Sequence, residues 1–352
     1  MMRGLQTTVR MIRRRVFTEV AKLGFKANAE TLIDDMEAIP YEIVTEDQDY
    51  RDSRYRARAV VRERLRLAMG LSLRPENKPV HLTQGVEASN ISEKYYEPPL
   101  MQVIPSACEA CEERGYEVSN MCKGCLAHPC QEVCPKGAIS MVDGKSYIRP
   151  CKNACGVGAI VSDKMGRAYI DPDKCVSCGM CMVSCPFGAI SDKSQIFQLA
   201  RALSEGEEIV AEIAPAVVGQ FGENITARNI KAALQEMGFS EAYEVALGSD
   251  IGAVAEAHHY VNKVVSGELP FLLTSCCPSW AMLAKKQFPD LIDQISQELT
   301  PMVATARTIK QEHPNAKVVF IGPCAAKKLE ASRRTVRSDV DFVVTFEELQ
   351  AM

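Results

Sequence analysis

Cysteine is the residue type whose spacing carries most of the chemistry in this chain. Fifteen cysteines are present, and twelve of them fall between positions 108 and 185. Eight of the twelve form two runs that each end in Cys-Pro. The first run is Cys122, Cys125, Cys130 and Cys134, and the second is Cys175, Cys178, Cys181 and Cys185. In such a pair of runs, three thiolates hold one 4Fe–4S cube and the fourth, before Pro, reaches the other cube. The spacing therefore predicts two 4Fe–4S clusters that pass single electrons.

The other four cysteines of this region leave the cluster assignment open. They are Cys108, Cys111, Cys151 and Cys155. Twelve thiols divide into three sets of four, so these residues are a tentative third cluster. Zinc on the same four is one alternative. In a second alternative, Cys155 replaces Cys134 in completing the cube of the 175–181 run. Spacing does not define connectivity, so all three assignments remain open.

Composition indicates a globular protein whose cysteines are metal ligands. The chain has 352 residues, 47% hydrophobic content and a net charge of −4, which allows two or three domains. The arginines at 13–15 resemble an export signal, but Glu19, Lys22 and Lys26 interrupt the apolar stretch that would have to follow. We therefore predict a cytoplasmic location, where thiols stay reduced, and neither a membrane nor a nucleic acid as partner.

Apolar periodicity predicts an α+β fold in three parts. Residues 1–105 form a helical N-terminal region with helices at 9–22 and 54–69, and residues 106–192 form a ferredoxin-like domain that binds two 4Fe–4S clusters. Strands are expected at 145–149 and 167–171. From 193 to 352, strands at 207–214, 271–274 and 318–321 alternate with helices at 227–237 and 249–265, which predicts a largely parallel sheet.

An arginine-rich stripe marks the second N-terminal helix. Its members are Arg51, Arg54, Arg56, Arg58, Arg62, Arg64 and Arg66. A solvated helix face is one interpretation of the stripe. A docking surface for an acidic redox partner is the other, because complementary charge accelerates association.

Two downstream motifs give the strongest family resemblance. They are Thr-Ser-Cys-Cys-Pro-Ser-Trp at 274–280 and Gly-Pro-Cys-Ala-Ala-Lys-Lys-Leu-Glu at 322–330. In this order, behind a ferredoxin-like segment, they resemble the first two signature motifs of the FeFe-hydrogenases, the iron-only hydrogenase large subunits. The strand at 207–215 is similar to the first strand of that family's catalytic domain. The N-terminal region with Cys108 and Cys111 is similar to the ferredoxin-linked, monomeric branch.

The resemblance implies a role for each matching residue. Cys277 and Cys324 match ligands of the cubane half of the H-cluster, which joins a 4Fe–4S cube to a diiron unit. Cys276 matches a free thiol that carries protons, and Lys327 matches a lysine that hydrogen-bonds an iron-bound cyanide. Both roles suit the chemistry of thiolates and ammonium groups.

The family's proton path is matched only in part. Glu256 falls near one of its carboxylates, and Ser296 falls near its serine. His258 and His259 stand where a second carboxylate is expected. Either an imidazole takes that role, or the two histidines are a helix-surface pair.

The implied activity is reversible reduction of protons to dihydrogen. A ferredoxin or similar carrier supplies the electrons, and hydrogenase maturation proteins assemble the H-cluster. The sequence departs from the family in having Gly322 where many members carry Met, and it stops before the third signature motif. We therefore expect this chain to be an incomplete hydrogenase domain, inactive alone. The alternatives are a hydrogenase-like iron–sulfur assembly protein, a sensory relative and a plain electron-transfer module.

Overall fold

The computed structural model describes the chain except for residues 1–6, 27, 47–50, 112–115, 118–138, 143–144, 149, 275, 334–335 and 337–338. The described residues form a mixture of helices and strands, which confirms the predicted α+β class. The α-helices are α1 (Thr8–Lys26), α2 (Leu32–Ile43), α3 (Arg54–Ala68), α4 (Val86–Ser89), α5 (Pro150–Asn153), α6 (Met180–Ser184), α7 (Ile196–Ser204), α8 (Ala227–Glu236), α9 (Ala246–Tyr260), α10 (Pro278–Gln287), α11 (Pro301–Glu312), α12 (Ala326–Ala331) and α13 (Phe346–Ala351). The strands are β1 (Met101–Val103), β2 (Tyr116–Glu117), β3 (Ile139–Val142), β4 (Lys145–Ile148), β5 (Ile160–Ser162), β6 (Ala168–Ile170), β7 (Ile190–Asp192), β8 (Ile209–Ile213), β9 (Glu241–Glu244), β10 (Lys317–Gly322) and β11 (Phe342–Thr345).

The N-terminal region is helical, as the sequence predicts. Helix α1 buries Val16, Phe17 and Val20 along one face, because its apolar residues recur at helical spacing. Helix α3 begins after Ser53, whose hydroxyl accepts a 3.2 Å hydrogen bond from the backbone N–H of Arg56. Helix α1 also packs along α7, so the N-terminal region covers the α/β part of the chain.

Glycine allows the contact between α1 and α7 to be close. A Cβ atom at Gly24 would lie 2.6 Å from the carbonyl oxygen of Phe197, closer than real side chains allow. The core formed by the three N-terminal helices extends through Ile196 and Phe197 to Ala351. The core of the helical region therefore includes residues of the α/β part.

The ferredoxin-like part has an internal two-fold arrangement. Strand β1 pairs antiparallel with β7, and β5 pairs antiparallel with β6. Helices α5 and α6 pack against each other between the two strand pairs. Strands β2, β4 and β3 form a further antiparallel sheet, and they lie in the stretch that separates Cys111 from Cys151.

A four-stranded sheet in the order β11-β10-β8-β9 forms the centre of the α/β part. Every pairing in it is parallel, as alternation of strands and helices predicts. Strand β10 lies at the centre of the core, with Val318, Val319 and Ile321 fully buried. Helix α11 covers β8 and β10.

Two sequence expectations need correction. The strand predicted at 271–274 is a single bridge between Leu273 and Ile295, outside the main sheet. The helix predicted at 249–265 begins earlier, at Ala246, and its last turn, Val261–Val265, is a π-helix. Within the described ranges, no helix combines the length and the apolar character that crossing a bilayer requires.

The arginine stripe is not a solvated helix face. Arg64 and Arg66 are buried, and of the seven arginines only Arg54 is fully exposed. Arg64 donates to the carbonyl of Gly188, and Arg51 donates to that of Phe187 at 2.7 Å. Most of the stripe therefore satisfies backbone carbonyls inside the protein.

Candidate functional site

Cys155, Cys175, Cys178 and Cys181 form one group of thiols. Burial, followed by the nearby thiols of Cys175, Cys178 and Cys155, raises the pKa of Cys181 to about 12. Cys155 and Cys175 also pack on the small apolar cluster that contains Cys181. Helix α6 carries Cys181, and a left-handed Gly179 begins that helix.

Cys108, Cys111, Cys151 and Cys185 form a second group. Burial, followed by the nearby thiols of Cys185, Cys111 and Cys108, raises the pKa of Cys151 to about 11. Burial likewise raises the pKa of Cys111, followed by the effects of Cys108 and Cys185. Cys108 packs against the apolar cluster around Cys185. The thiol of Cys108 also accepts a 3.3 Å hydrogen bond from the backbone N–H of Ala168.

Two equivalent turns relate the groups. Cys155 accepts a 3.2 Å bond from the N–H of Ala159, and Cys185 accepts a 3.3 Å bond from that of Ala189. Gly158 and Gly188 hold both turns at φ = 61°, a conformation that favours glycine. The sequence Gly-Ala-Ile, which occurs at 158–160 and again at 188–190, thus forms the turns that direct N–H groups at sulfur.

This grouping bears on the alternatives that spacing left open. Cys155 is among the thiols that raise the pKa of Cys181, whereas Cys108, Cys111 and Cys185 are those that raise the pKa of Cys151. The first run, Cys122, Cys125, Cys130 and Cys134, lies outside the described residues. Among the described residues, no three His, Cys, Asp or Glu side chains are close enough together to share one metal ion.

Two segments of the α/β part bring Cys277 and Cys324 together. Cys277 immediately precedes α10, whose first residue is Pro278, and Cys324 follows β10. Burial raises the pKa of Cys324, the N–H groups of Ala326 and Lys327 oppose that rise, and Cys277 is near enough to raise it further. Cys276 is exposed, whereas Cys277 and Cys324 are half-buried.

Lys327 connects the two cysteine segments. Its Nζ atom donates to the carbonyl oxygen of Cys276 at 3.2 Å and to Glu330 Oε2 at 2.7 Å. Thr300 Oγ1 donates to the other oxygen of Glu330 at 2.6 Å. The same ammonium lies 5.9 Å from the ring centroid of Phe320. Sequence reasoning identified Lys327 but missed Glu330, three residues later on the same helix, where a lysine partner is common.

The predicted proton-path residues are only partly connected. Ser296 is buried, and its N–H donates to the carbonyl of Leu273 at 2.8 Å, beside the segment that leads to Cys276. Glu256 is half-buried and makes no hydrogen bond or ion pair with any residue that the structure describes. His259 Nδ1 lies 3.6 Å from Glu298, a carboxylate that sequence reasoning missed.

A buried ionic cluster joins the ferredoxin-like part to the Cys324 segment. Lys328 Nζ lies 2.8 Å from Asp192 on β7 and 2.7 Å from Glu348 on α13, and all three side chains are at most 1% exposed. Burial would lower the pKa of Lys328, but the two carboxylates outweigh it and leave that pKa raised. Arg13 of α1 adds a 2.9 Å ion pair to Asp192.

Comparison with protein families agrees with this architecture. Residues 207–352 match the family described as iron only hydrogenase large subunit, C-terminal domain. Residues 168–191, which include Cys175, Cys178, Cys181 and Cys185, match the 4Fe-4S binding domain.

Individual relatives carry two kinds of name. The chain is 31% identical over 202 residues to the NADP-reducing hydrogenase subunit HndD of Solidesulfovibrio fructosivorans, which covers 50% of this chain and 34% of that protein. It is 30% identical over 189 residues to iron hydrogenase 1 of Clostridium pasteurianum, covering 47% of this chain and 33% of the relative. It is 38% identical over 91 residues to a cytosolic Fe-S cluster assembly factor of Kluyveromyces lactis, covering 26% and 19%.

The chain thus spans about a third of the length of the two hydrogenase relatives. The two family matches nevertheless fall on both the ferredoxin-like part and the α/β part of the fold. Residues 168–191 thus resemble a 4Fe–4S binding segment, and residues 207–352 resemble the C-terminal domain of the iron-only hydrogenase large subunit.

Proposed function

We propose that this chain belongs to an FeFe-hydrogenase that reversibly reduces protons to dihydrogen with electrons from a ferredoxin-type carrier. One observation carries the proposal. Cys277 and Cys324, from separate elements, converge where Lys327 reaches the backbone of Cys276. The match of residues 207–352 to the hydrogenase domain supports the same conclusion.

Two 4Fe–4S clusters fit the thiol groups in the ferredoxin-like part. We assign Cys108, Cys111, Cys151 and Cys185 to one cluster, and Cys155, Cys175, Cys178 and Cys181 to the other. Sulfur donors suit iron, and the backbone N–H groups directed at sulfur stabilise thiolates. The exchange of Cys155 and Cys185 between the runs follows the usual two-cluster arrangement. The four cysteines at 122–134 then remain for a third cluster.

An H-cluster fits the downstream site through the same chemistry. Cys277 and Cys324 are its proposed thiolate ligands, and the N–H groups of Ala326 and Lys327 favour the charged form of Cys324. When bound, the H-cluster supplies the two-electron chemistry that interconverts protons and dihydrogen. Lys327, whose side chain is 11% exposed, presents an ammonium that suits an anionic diatomic ligand.

The protein's own contribution to proton delivery lies in Cys276, Ser296 and Glu256. Cys276 is exposed and is the proposed carrier nearest the reacting centre. Ser296 lies beside the strand-like segment that leads to it. His259 Nδ1 and Glu298, 3.6 Å apart, supply an imidazole and a carboxylate where a second carboxylate is expected.

We propose an electron carrier of the ferredoxin type as the partner of the cluster that contains Cys185. Arg51 and Arg56 lie beside this thiol group and donate to the carbonyls of Phe187 and Ser106 at 2.7 and 2.8 Å. Both also pair with Glu109, so this surface carries mixed charge. The cytoplasm, where maturation proteins would assemble the H-cluster, is the location that we propose.

The second candidate is an iron–sulfur assembly protein without hydrogen chemistry. The similarity to a cytosolic Fe-S cluster assembly factor favours it. Both candidates require Cys277 and Cys324 to hold a cube, but only the hydrogenase requires a proton carrier at Cys276.

Anaerobic co-expression of the full-length protein with hydrogenase maturation proteins tests the choice. For a hydrogenase, we expect hydrogen evolution from reduced viologen and infrared bands of iron-bound cyanide. Cys276→Ala should abolish evolution and retain iron, whereas Cys277→Ala should lose iron from the site. Full iron loading of the wild type with neither hydrogen nor cyanide bands would instead support the assembly candidate.

Iron counting tests the cluster assignment. The background variant replaces Cys122, Cys125 and Cys130 with Ala, which removes the first run's own set of thiols. In that background, Cys155→Ala should release about four further irons, one cube's content, and Cys134→Ala should release none. Release of these irons by Cys134→Ala and not by Cys155→Ala would instead indicate that Cys134 completes the cube of the 175–181 run.

A further inference from the structure

Glu212 is a buried carboxyl group on the central part of the hydrogenase-type sheet. It lies on β8 and is 0% exposed. Neither of its carboxyl oxygens has a hydrogen-bond partner among the described residues. A carboxyl group in that condition is costly if it is charged, because an ionised carboxylate needs hydrogen bonds or a counterion.

The surroundings of Glu212 place it beside the candidate site. Its strand partner on β10 is Phe320, in parallel register. The Nζ atom of Lys327 lies 5.9 Å from the Phe320 ring centroid. Burial raises the pKa of Glu212 well above its ordinary value, with Lys327 opposing that rise and Glu330 adding to it.

The three side chains contain one cation and two carboxyl groups. Lys327 pairs with Glu330 at 2.7 Å, and Thr300 occupies the other oxygen of Glu330. Glu330 is therefore the counterion of Lys327. A second ionised carboxylate would give this buried group a net negative charge, and buried carboxyls that share a site separate into one charged and one neutral member.

We propose that Glu212 is a neutral carboxylic acid at neutral pH and serves as a hydrogen-bond donor beside the Lys327–Glu330 pair. The buried group of three then carries no net charge. The O–H of Glu212 is available to whatever group occupies the site, while Lys327 keeps its ammonium directed at the backbone of Cys276. The role of Glu212 at a hydrogen-producing centre rests on the function proposed above, but its protonation does not.

Infrared difference spectroscopy of the protein expressed without maturation proteins tests the protonation. Wild type at pH 7 should show a carboxylic acid C=O band that shifts in D2O and that Glu212→Gln removes. Glu63→Gln is the matched control, because Glu63 is 8% exposed and ion-paired with Arg74 at 2.6 Å. That control should leave the band unchanged. A wild type without the band, or a band that survives Glu212→Gln, overturns the proposal.

A second variant tests whether Glu330 and Lys327 influence the ionisation of Glu212, or whether burial alone determines it. Glu330→Gln removes the like charge and leaves Lys327 without its counterion. Glu212 should then ionise more readily, so that its acid band disappears at a lower pH than in wild type. An unchanged titration in Glu330→Gln overturns the coupling to Lys327.

The matured, full-length protein distinguishes this inference from the proposed hydrogenase function. Glu212→Leu, which removes the donor, should shift the cyanide bands, whereas Glu212→Gln, which keeps an N–H donor, should shift them less. Equal band positions in wild type and Glu212→Leu overturn the donor role. Absence of cyanide bands from the wild type refutes the hydrogenase function, and the carboxylic acid band still decides the state of Glu212.

Discussion

Replacing Lys328 with Met should lower the free energy of unfolding by about 3–5 kcal/mol, the usual effect of breaking a buried ion pair. Lys328 is 1% exposed and lies within 2.8 Å of both Asp192 and Glu348. The substitution keeps the volume but removes the ammonium, so two buried carboxylates lose a counterion. Asp192 retains Arg13 at 2.9 Å, which places the expected loss near the lower value.

Urea unfolding followed by circular dichroism measures this effect. Lys22→Met is the matched control, because Lys22 is 66% exposed and its pairing with Glu19 contributes about 1 kcal/mol at most. The midpoint should fall in Lys328→Met with an unchanged slope. Equal midpoints for the two variants would refute the electrostatic role of the buried cluster.

The pH dependence of the same variant has a definite sign. Burial alone would raise the pKa of Asp192, but Lys328 and Arg13 lower it below its ordinary value. Its contribution to stability is therefore present above the unfolded pKa of about 3.9 and is lost as pH falls through the lower folded value. The difference between wild type and Lys328→Met should shrink in that acidic range. A constant difference down to complete protonation of Asp192 would contradict this assignment.

Three further predictions follow from glycine packing and from burial. Gly248→Ala should destabilise the protein by more than about 1 kcal/mol, because its Cβ would overlap the backbone of α11. Gly252→Ala is the control on the same helix, because its Cβ would have 3.8 Å of clearance. Thermal unfolding should show that Gly252→Ala is neutral or stabilising. Gly322→Met should cost about 1–3 kcal/mol, since its Cβ would overlap the Phe320 ring, and Phe320→Leu should recover part of that loss in the double variant. Burial raises the pKa of Glu212, so the folded chain retains a proton that the unfolded chain releases. The free energy of unfolding of the wild type, relative to that of Glu212→Gln, should therefore fall as pH rises. The expected slope is about 1.4 kcal/mol per pH unit between about pH 5 and the folded pKa. Parallel stability curves for these two proteins would contradict that last prediction.

Apolar periodicity predicted most of the fold because burial directly determines that pattern. The strands at β8 and β10 are apolar runs of the kind that parallel sheets require, and both lie where the sequence places them. The segment at 271–274 has the same composition, yet it makes only one bridge, through Leu273. Composition shows that a short segment is apolar, but it does not show whether a neighbouring strand is available for pairing.

The grouping of the cysteines depends on contacts that are distant in sequence. Cys108 and Cys111 meet Cys151 because β1 pairs with β7 and α5 packs on α6. The stretch between Cys111 and Cys151 contains the complete first run, Cys122 to Cys134. Sequence spacing therefore favoured pairing that run with the second run, Cys175 to Cys185. The Gly-Ala-Ile segments after Cys155 and Cys185 form equivalent N–H···S turns, and this repeat is the local sequence signal of the two-fold relation.

The arginine stripe shows a different limit of sequence reasoning. Charged residues on a helix usually face water, so periodicity alone favours a solvated face. Here Arg64 and Arg66 are buried because loop carbonyls, such as those of Gly188 and Leu82, need donors in the interior. Whether a guanidinium group faces solvent or a loop depends on tertiary packing, which is absent from the local pattern.

The buried cluster around Lys328 determines how the two iron–sulfur parts are positioned. Asp192 ends β7, the strand that follows Cys185, and Lys328 lies on the helix that follows Cys324. Their 2.8 Å ion pair therefore fixes the two cysteine segments relative to each other, and Glu348 and Arg13 secure it from two further helices. Because the residues are buried, a change in the spacing of these segments would have to separate charges in the interior. The connecting residues take part in the same packing, because Lys328 also donates to the carbonyl of Lys193 at 3.0 Å, so the spacing of the two segments depends on the whole buried cluster.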